Sequence, residues 1–184
     1  MIAALIKRIA QNLDENKVPY MIIGGQAVLL YGTPRLTRDI AIPLGVDTDQ
    51  FLAIDKLCRD LDLRVLSTDP ERFAVQTKVL PAEDPVSRIR VDFIFSFTPY
   101  ERQAIERANA VPMEGYPVKF ASREDVIIHK MFAARAVDHE DVRNILAKSR
   151  QRIDLAYIKR WLSEFGSLPE HERICEDFEK LREG

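Results

Sequence analysis

The sequence of 184 residues has little cysteine, no long apolar run and no excess of basic charge. Two cysteines are too few for the disulfide framework of a small secreted domain. Cys58 and Cys175 both lie at helical spacing from apolar residues, so we expect both in the core. No run approaches the roughly 18 apolar residues that span a bilayer, and the N-terminus lacks a secretion signal. These absences predict a cytoplasmic protein without a membrane partner.

The charge balance disfavours a protein that coats long nucleic acid. Lys and Arg number 27 against 29 Asp and Glu, a net charge of -2, whereas such proteins are usually basic. Residues 143–160 form a local exception, with six basic residues and the single acid Asp154. This basic stretch would suit a tRNA acceptor stem or an acidic partner, or it is an ordinary solvated helix face. The acidic tail at 170–183 could also dock on it.

The hydrophobic pattern predicts an α+β chain with a mixed β-sheet flanked by helices. Strands dominate the first two thirds of the chain and helices the last third. We therefore divide it into an α/β core, residues 1–121, and a C-terminal helical portion, residues 122–184, packed on that core. The predicted strands span residues 20–23, 39–44, 63–66, 73–80 and 88–97, with a hairpin at 111–120. The predicted helices span 2–13, 26–31, 51–61, 99–110, 122–136, 138–149 and 154–165, and a last one follows Pro169.

Two adjacent glycines, Gly24 and Gly25, separate the strand at 20–23 from the helix at 26–31. Glycine lets the backbone approach a phosphate closely, and a helix N-terminus offers free N–H groups and the positive end of the helix dipole. The pair indicates a phosphate-binding turn, although a plain strand-to-helix turn would use the same residues.

Acidic side chains lie on two of the predicted strands. Asp39 begins one strand, and Asp92 lies within another that is otherwise largely apolar. Residues i and i+2 of a strand share a face, so Asp39 and position 41 point the same way. Clustered carboxylates on neighbouring strands hold the two Mg²⁺ ions of phosphoryl or nucleotidyl transfer. The alternative is that Asp92 pairs with Arg88 or Arg90 at a sheet edge.

A lysine lies on an apolar stretch of the predicted helix at 122–136. Lys130 follows Val126 and Ile127 by about one turn, which is an unusual setting for an ammonium group. Such a lysine could neutralise a triphosphate, or its stem could simply cover the core. Asp138 and Asp141 open the next helix, where capping and the helix dipole favour acids in any case.

Taken in order, these motifs resemble those of the minimal nucleotidyltransferase superfamily, which includes DNA polymerase beta. Within it, the chain is similar to the abortive-infection toxins of bacterial type IV toxin–antitoxin systems. The likeness spans roughly residues 18–165. The motifs that carry it are Gly24-Gly25, Arg35-x-Thr37-x-Asp39-Ile40 and Lys130-x-x-Ala133-x-Arg135-x-x-Asp138-x-x-Asp141.

The resemblance implies transfer of a nucleoside monophosphate from an NTP to a hydroxyl or a tRNA end. It implies Mg²⁺ as cofactor and, as partners, NTP, a tRNA or protein acceptor and a cognate antitoxin. It makes Asp39 and Asp92 metal ligands and, with position 41 and Lys130, the catalytic set. The nucleotide-binding residues that it implies are Gly24, Gly25, Arg35, Thr37, Lys130, Arg135, Asp138 and Asp141.

Position 41 departs from the family pattern, because Ala41 stands where a second metal-binding acid is expected. Loss of one carboxylate should stop two ions from being held together, so we expect the chain as given to be inactive or very weak. Two explanations stay open. Ala41 either replaced an ancestral Asp, by a secondary or an introduced change, or marks a natural member that binds nucleotide without transferring it.

Three hypotheses for the function follow. The first is a toxin-like nucleotidyltransferase that needs an acid at position 41. The second is a catalytically silent module that binds a nucleotide or a partner. The third is a small-molecule nucleotidyltransferase that modifies an antibiotic.

Overall fold

The computed structural model describes residues 1–149 and 153–183. Its main sheet has the strand order β1-β4-β3-β2, in which β1 runs parallel to β4 and the other neighbours are antiparallel. A separate hairpin pairs β5 with β6. The strands are β1 (Asp39–Leu44), β2 (Arg64–Val65), β3 (Val79–Glu83), β4 (Arg90–Phe95), β5 (Asn109–Met113) and β6 (Tyr116–Phe120).

Helices surround the sheet and make up the last third of the described chain. They are α1 (Ile2–Glu15), α2 (Gly24–Tyr31), α3 (Phe51–Asp60), α4 (Pro70–Thr77), α5 (Pro99–Glu106), α6 (Arg123–Ala133), α7 (Ala136–Lys148), α8 (Leu155–Phe165) and α9 (Ile174–Glu183). Helix α6 packs against α2, α7 and α8. The predicted α+β class and the mixed sheet are confirmed. No helix in the described ranges has both the length and the apolar character that a membrane crossing needs.

The two strands that matter most for the site follow their sequence pattern. Strand β1 has the predicted bounds, and β4 alternates with the period of two expected of a strand. Val91, Phe93 and Phe95 are buried on one face of β4. The other face carries Arg90 and Asp92 and is free to line a site.

Residues 73–80 were predicted as a strand, and this prediction is wrong. Asp69 accepts a hydrogen bond from the backbone N–H of Arg72, and Pro70 occupies the first turn, so α4 begins there. Lys78 ends the helix in the left-handed conformation, with φ 60°, and β3 starts only at Val79. Helix capping therefore outweighs the β-type pattern of Phe73, Val75 and Val79.

Two further expectations need correction. Residues 20–23 do not form a named strand, because Tyr20, Ile22 and Ile23 make only isolated bridges to Leu44, Phe120 and Ala41. Cys58 is buried as expected, and burial raises the pKa of its thiol to about 12. Cys175 is exposed, since it lies on the solvent side of α9.

Candidate functional site

Position 41 lies in the middle of the face that β1 and β4 share. Ala41 is paired with Asp92 across the two strands, and Asp39 is paired with Arg90. Directly paired residues of neighbouring strands point to the same side, and so do residues two apart on one strand. Asp39, Ala41 and Asp92 therefore share one face, as the sequence predicted for Asp39 and position 41.

A cleft of about 390 Å³ opens between this face of the sheet and helix α6. Ala41 and Pro43 of β1 and Ile94 of β4 form one wall, and α6 forms the other. Of the residues that the sequence singled out, those in the lining are Gly24, Ala41, Lys130, Arg135 and Asp138. The others lie beside the cleft rather than in its lining: Gly25, Arg35, Thr37, Asp39, Asp92 and Asp141.

The two glycines form the first turn of α2 rather than a loop before it, so the predicted start of this helix at residue 26 is two residues late. Gly24 has a φ of +67°, a conformation that favours glycine, and a Cβ there would lie 3.7 Å from the Cβ of Ala41. Gly25 packs against Thr37. A Cβ added at position 25 would lie 2.8 Å from the Thr37 Cβ and would collide with the Thr37 hydroxyl. Gly25 therefore allows the segment before β1 to pack on α2.

Substitution of Gly25 by Ala is expected to lower the free energy of unfolding by about 1–3 kcal/mol, the usual cost of overpacking. Gly24→Ala is the matched control, because its Cβ meets only ordinary contacts and costs about 1 kcal/mol through the positive φ. Urea unfolding measures both. A larger loss of unfolding free energy for Gly24→Ala than for Gly25→Ala would show that close packing of Thr37 does not restrict position 25.

Asp92 is already paired with a cation of its own strand. The Nε of Arg90 donates to the Oδ1 of Asp92 at 2.9 Å, as the alternative interpretation of the sequence anticipated. The pair does not lie at a sheet edge, because β4 runs between β1 and β3. Asp92 is half-buried and Asp39 is exposed, so water and ligands can reach both carboxylates.

Two carboxylates on this face, without a third beside them, could serve one magnesium ion but not two. Mg²⁺ is usually held by one or two carboxylates together with substrate phosphates and water, a set that Asp39 and Asp92 could supply. A second ion needs further oxygen ligands, and Ala41 offers none. In residues 1–149 and 153–183, no group of three or more His, Cys, Asp or Glu side chains is arranged to hold a metal.

Five charged side chains alternate in sign in a row that starts in the cleft lining and continues beside it, and we call them the ion-pair ladder: Arg35, Asp141, Lys130, Asp138 and Arg135. The Nζ of Lys130 lies 2.6 Å from Asp138 Oδ1 and 2.8 Å from Asp141 Oδ2. Arg35 makes two hydrogen bonds to Asp141, at 3.0 and 3.1 Å. Arg135 makes two to Asp138, at 2.6 and 3.1 Å.

The ladder is buried at its centre and exposed at its ends. The exposed fraction is 4% for Lys130, 0% for Asp138 and 3% for Asp141. Burial alone would raise the pKa of each acid, but the hydrogen bonds from Arg135 and Lys130 to Asp138, and from Arg35 and Lys130 to Asp141, hold both pKa values below the ordinary range. Both acids are therefore ionised at neutral pH, and with its three basic side chains the ladder carries one net positive charge.

The sequence placed Arg135 on the same helix as Lys130, and the structure corrects this. Ala134 adopts the left-handed conformation, with φ 52°, and ends α6. Arg135 then becomes the N-cap of α7, and its backbone N–H donates to Asp138 at 3.3 Å. This break frees the backbone N–H of Arg135 to donate to Asp138, whereas in a continuous helix it would donate to the carbonyl of residue 131.

Sequence reasoning missed three cleft residues: Ser96, Glu101 and His129. The sequence contains a cue to the position of Glu101, because Thr98 and Glu101 have the spacing of a capping box at a helix N-terminus. In the structure, the Thr98 hydroxyl donates to the Glu101 carboxylate. His129 lies next to Lys130 in sequence. Its Nε2 is buried without a hydrogen-bond partner among the described residues, and burial lowers the pKa of His129 to about 4. Its ring is neutral at neutral pH.

The basic stretch has partners for the four of its cations that the structure describes. Arg143 pairs with Glu140, Arg160 with Glu164, and Lys148 donates to the carbonyl of Gly32. Lys159 lies 2.7 Å from Glu179 of the acidic tail, so the tail contacts the stretch within one chain. Two more of its cations, Arg150 and Arg152, lie outside the described residues.

Sequence comparison gives one family. The family described as "Nucleotidyltransferase of unknown function (DUF6036)" matches residues 1–180. No curated protein matches the sequence.

Solved nucleotidyltransferase structures share the fold at low identity. An antigenic nucleotidyltransferase-like protein from Paracoccidioides brasiliensis matches with a TM-score of 0.56 and 17% identity, over 95% of this chain and 92% of that one. A putative nucleotidyltransferase from H. pylori matches with a TM-score of 0.54 and 13% identity, over 98% and 91%. The ANT(2")-Ia structure in complex with adenylyl-2"-tobramycin matches with a TM-score of 0.53 and 17% identity, over 97% of both chains.

Proposed function

The chain belongs to the nucleotidyltransferase family DUF6036, and on that premise we propose that its cleft binds a nucleoside triphosphate. One observation carries the proposal. Position 41 is paired with Asp92, lies two residues from Asp39 on the same face, and lines the cleft beside Gly24. This is where an acid would complete a cluster of three carboxylates, next to a helix N-terminus suited to phosphate.

Several groups of residues in this chain would each contribute to binding the nucleoside triphosphate. The first turn of α2, at Gly24 and Gly25, directs backbone N–H groups toward the phosphates. The ion-pair ladder supplies positive charge. Lys130 has three N–H donors, of which Asp138 and Asp141 use two, so one remains for a phosphate oxygen. Thr37 and Arg35 flank the site and hold the segment before β1 against α2 and α7.

Asp39 and Asp92 would hold one Mg²⁺ with the triphosphate, and the bound ion would neutralise charge on the phosphates. The Asp92 carboxylate would have to exchange its hydrogen bond from Arg90 for the cation. Because Ala41 leaves no third carboxylate, we propose that the chain as given binds NTP and transfers nothing or very little. An acid at position 41 would make it a transferase, in which an acceptor hydroxyl forms a bond to the α-phosphorus of the NTP, the bond between the α- and β-phosphates breaks, and pyrophosphate leaves while the hydroxyl proton passes to solvent.

The acceptor and the biological setting rest on the sequence resemblance. We propose a toxin of a toxin–antitoxin system, acting in the cytoplasm on a tRNA end, with a cognate antitoxin as partner. We also propose that the chain divides into a core, residues 1–121, and a helical portion, residues 122–184, with the cleft between them.

A second candidate function is a small-molecule nucleotidyltransferase. The observation in its favour is the shared fold with ANT(2")-Ia, whose structure is a complex with adenylyl-2"-tobramycin. An assay of the Ala41→Asp variant that offers tRNA, protein and an aminoglycoside side by side separates the two, because label would move to only one of these acceptors.

The location of the nucleotide can be tested by blocking the cleft. Ala133 is exposed at the end of α6 and lines the cleft, whereas Ala136 is exposed nearby and is not part of the lining. Ala133→Trp is expected to weaken NTP binding at least about tenfold, or 1.4 kcal/mol, and Ala136→Trp to leave it within about twofold. Titration calorimetry measures both. Equal binding by the two variants would place the nucleotide elsewhere.

A further inference from the structure

A second cavity, of about 190 Å³, adjoins the far end of the cleft, and we call it the side pocket. The two cavities share Glu101, His129 and Phe132 in their linings. The remaining walls are mainly apolar and aromatic, and they come from α5, α8 and the segment after α8. Those used below are Tyr100, Phe165 and Leu168.

The two cavities differ in the charges of their linings. The cleft has two cations, Lys130 and Arg135, and two acids, Asp138 and Glu101. The side pocket, among the described residues, has one charged residue in its lining, the acid Glu101. A polyphosphate finds cations to pair with in the cleft and only a repelling acid in the side pocket. A molecule that fills both cavities must therefore have a phosphate end and an uncharged, flat or apolar end.

Two polar groups are placed where the cavities meet. The Nε2 of His129 is buried and has no hydrogen-bond partner in the described part of the chain. A buried polar atom without a partner is costly, so a ligand that supplies one gains affinity. One oxygen of the Glu101 carboxylate accepts from Thr98, and the other has no hydrogen-bond donor among residues 1–149 and 153–183, so it can accept a bond from a ligand.

Three aromatic side chains in the lining of the side pocket, Tyr100, Phe132 and Phe165, offer contacts to a flat ring. Tyr100 contacts the rings of His129 and Phe165, with centroid distances of 5.4 and 5.2 Å. Phe132 is 40% exposed and stacks on His171. Stacking of a base on an aromatic side chain is a common means of holding nucleic-acid bases.

We propose that the side pocket is the subsite for the nucleobase of the bound NTP, and that Glu101 and His129 select a base that carries an amino group. This inference rests on the proposed function, since it needs a triphosphate in the cleft. The carboxylate of Glu101 accepts from an exocyclic amino group, which adenine, guanine and cytosine have and uracil lacks. The chain should therefore prefer ATP, GTP or CTP to UTP.

The test compares the four NTPs with inorganic tripolyphosphate by calorimetry on the full chain with Mg²⁺ present. At least one amino-bearing NTP should bind about tenfold more tightly than both UTP and tripolyphosphate. Glu101→Gln should reduce that preference, because it replaces a charged acceptor by a neutral one, and it should not weaken the binding of tripolyphosphate. Glu106→Gln, an exposed acid of the same helix, is the control and should change neither.

Fluorescence gives an independent readout of where the base binds. Trp161 is the single tryptophan, and its ring lies 5.1 Å from that of Tyr100 behind the side pocket. An amino-bearing NTP should change its emission, and tripolyphosphate should not.

Equal affinities for tripolyphosphate and all four NTPs, with unchanged emission, would overturn the nucleobase subsite while leaving the phosphate site standing. If neither tripolyphosphate nor any NTP binds, the proposed function fails and the subsite fails with it.

Discussion

Replacement of Lys130 by Met is expected to lower the free energy of unfolding by about 3 kcal/mol at neutral pH. The substitution leaves Asp138 and Asp141, two buried acids, without the ammonium between them. Removing one partner of a buried ion pair usually costs 3–5 kcal/mol. Arg35 and Arg135 still hold one acid each, which places the expected loss at the lower end of that range.

The pH dependence of this loss distinguishes charge from packing. Both acids have folded-state pKa values below the ordinary range, so their contribution to stability is present above about pH 4, the unfolded pKa, and is lost as the pH falls through the folded values. The difference between wild type and Lys130→Met should therefore shrink below about pH 4. A loss caused by packing alone would persist at low pH.

An exposed lysine gives the control. Lys159 pairs with Glu179, and the two side chains are 50% and 34% exposed. Lys159→Met should cost less than about 1 kcal/mol, as surface pairs usually do. Urea unfolding from pH 7 to pH 3 measures all three proteins. A Lys130→Met loss no greater than that of Lys159→Met would mean that the ladder is not a buried network.

The second large effect concerns the response of the protein to divalent cations. Ala41→Asp adds a carboxylate opposite Asp92 and near Asp39, where like charges repel, so the variant should be less stable than wild type without metal. Saturation with Mg²⁺ or Mn²⁺ at 100 times Kd should then raise its free energy of unfolding by about 2.7 kcal/mol. For a chain of this size, that corresponds to roughly 5–10 °C in Tm.

Ala41→Asn is the matched control, since it has the shape of Asp without the charge. Its Tm should respond to the metal as weakly as that of wild type, and EDTA should return Ala41→Asp to its lower Tm. An equal Tm shift in Ala41→Asp and Ala41→Asn would show that position 41 does not complete a cation site.

Local sequence signals were sufficient for the elements that carry the carboxylates. Strand β1 has the predicted bounds, and the alternation along β4 correctly places Asp92 on the face opposite Val91 and Phe93. The hairpin predicted at 111–120 is present as β5–β6, and it turns at Glu114 and Gly115, where both residues take a positive φ.

Long-range contacts of the site could not be derived in the same way. Arg35 and Asp141 are 106 residues apart in the chain, and nothing in their spacing indicates that they touch. The end of α6 was missed because Ala134 takes a left-handed conformation that usually belongs to Gly or Asn. The side pocket was missed because its walls come from helices whose packing partners the periodicity does not identify.

The most direct test of the central claim is transfer of label from α-labelled NTPs by the chain as given, Ala41→Asp and Ala41→Asn. Each protein is incubated with Mg²⁺, the four NTPs in turn, and tRNA, lysate protein or an aminoglycoside as acceptor. The account predicts that label moves only with Ala41→Asp, to one acceptor class. Transfer by the chain as given at a comparable rate, or none by an Ala41→Asp protein that binds both NTP and Mg²⁺, would contradict it.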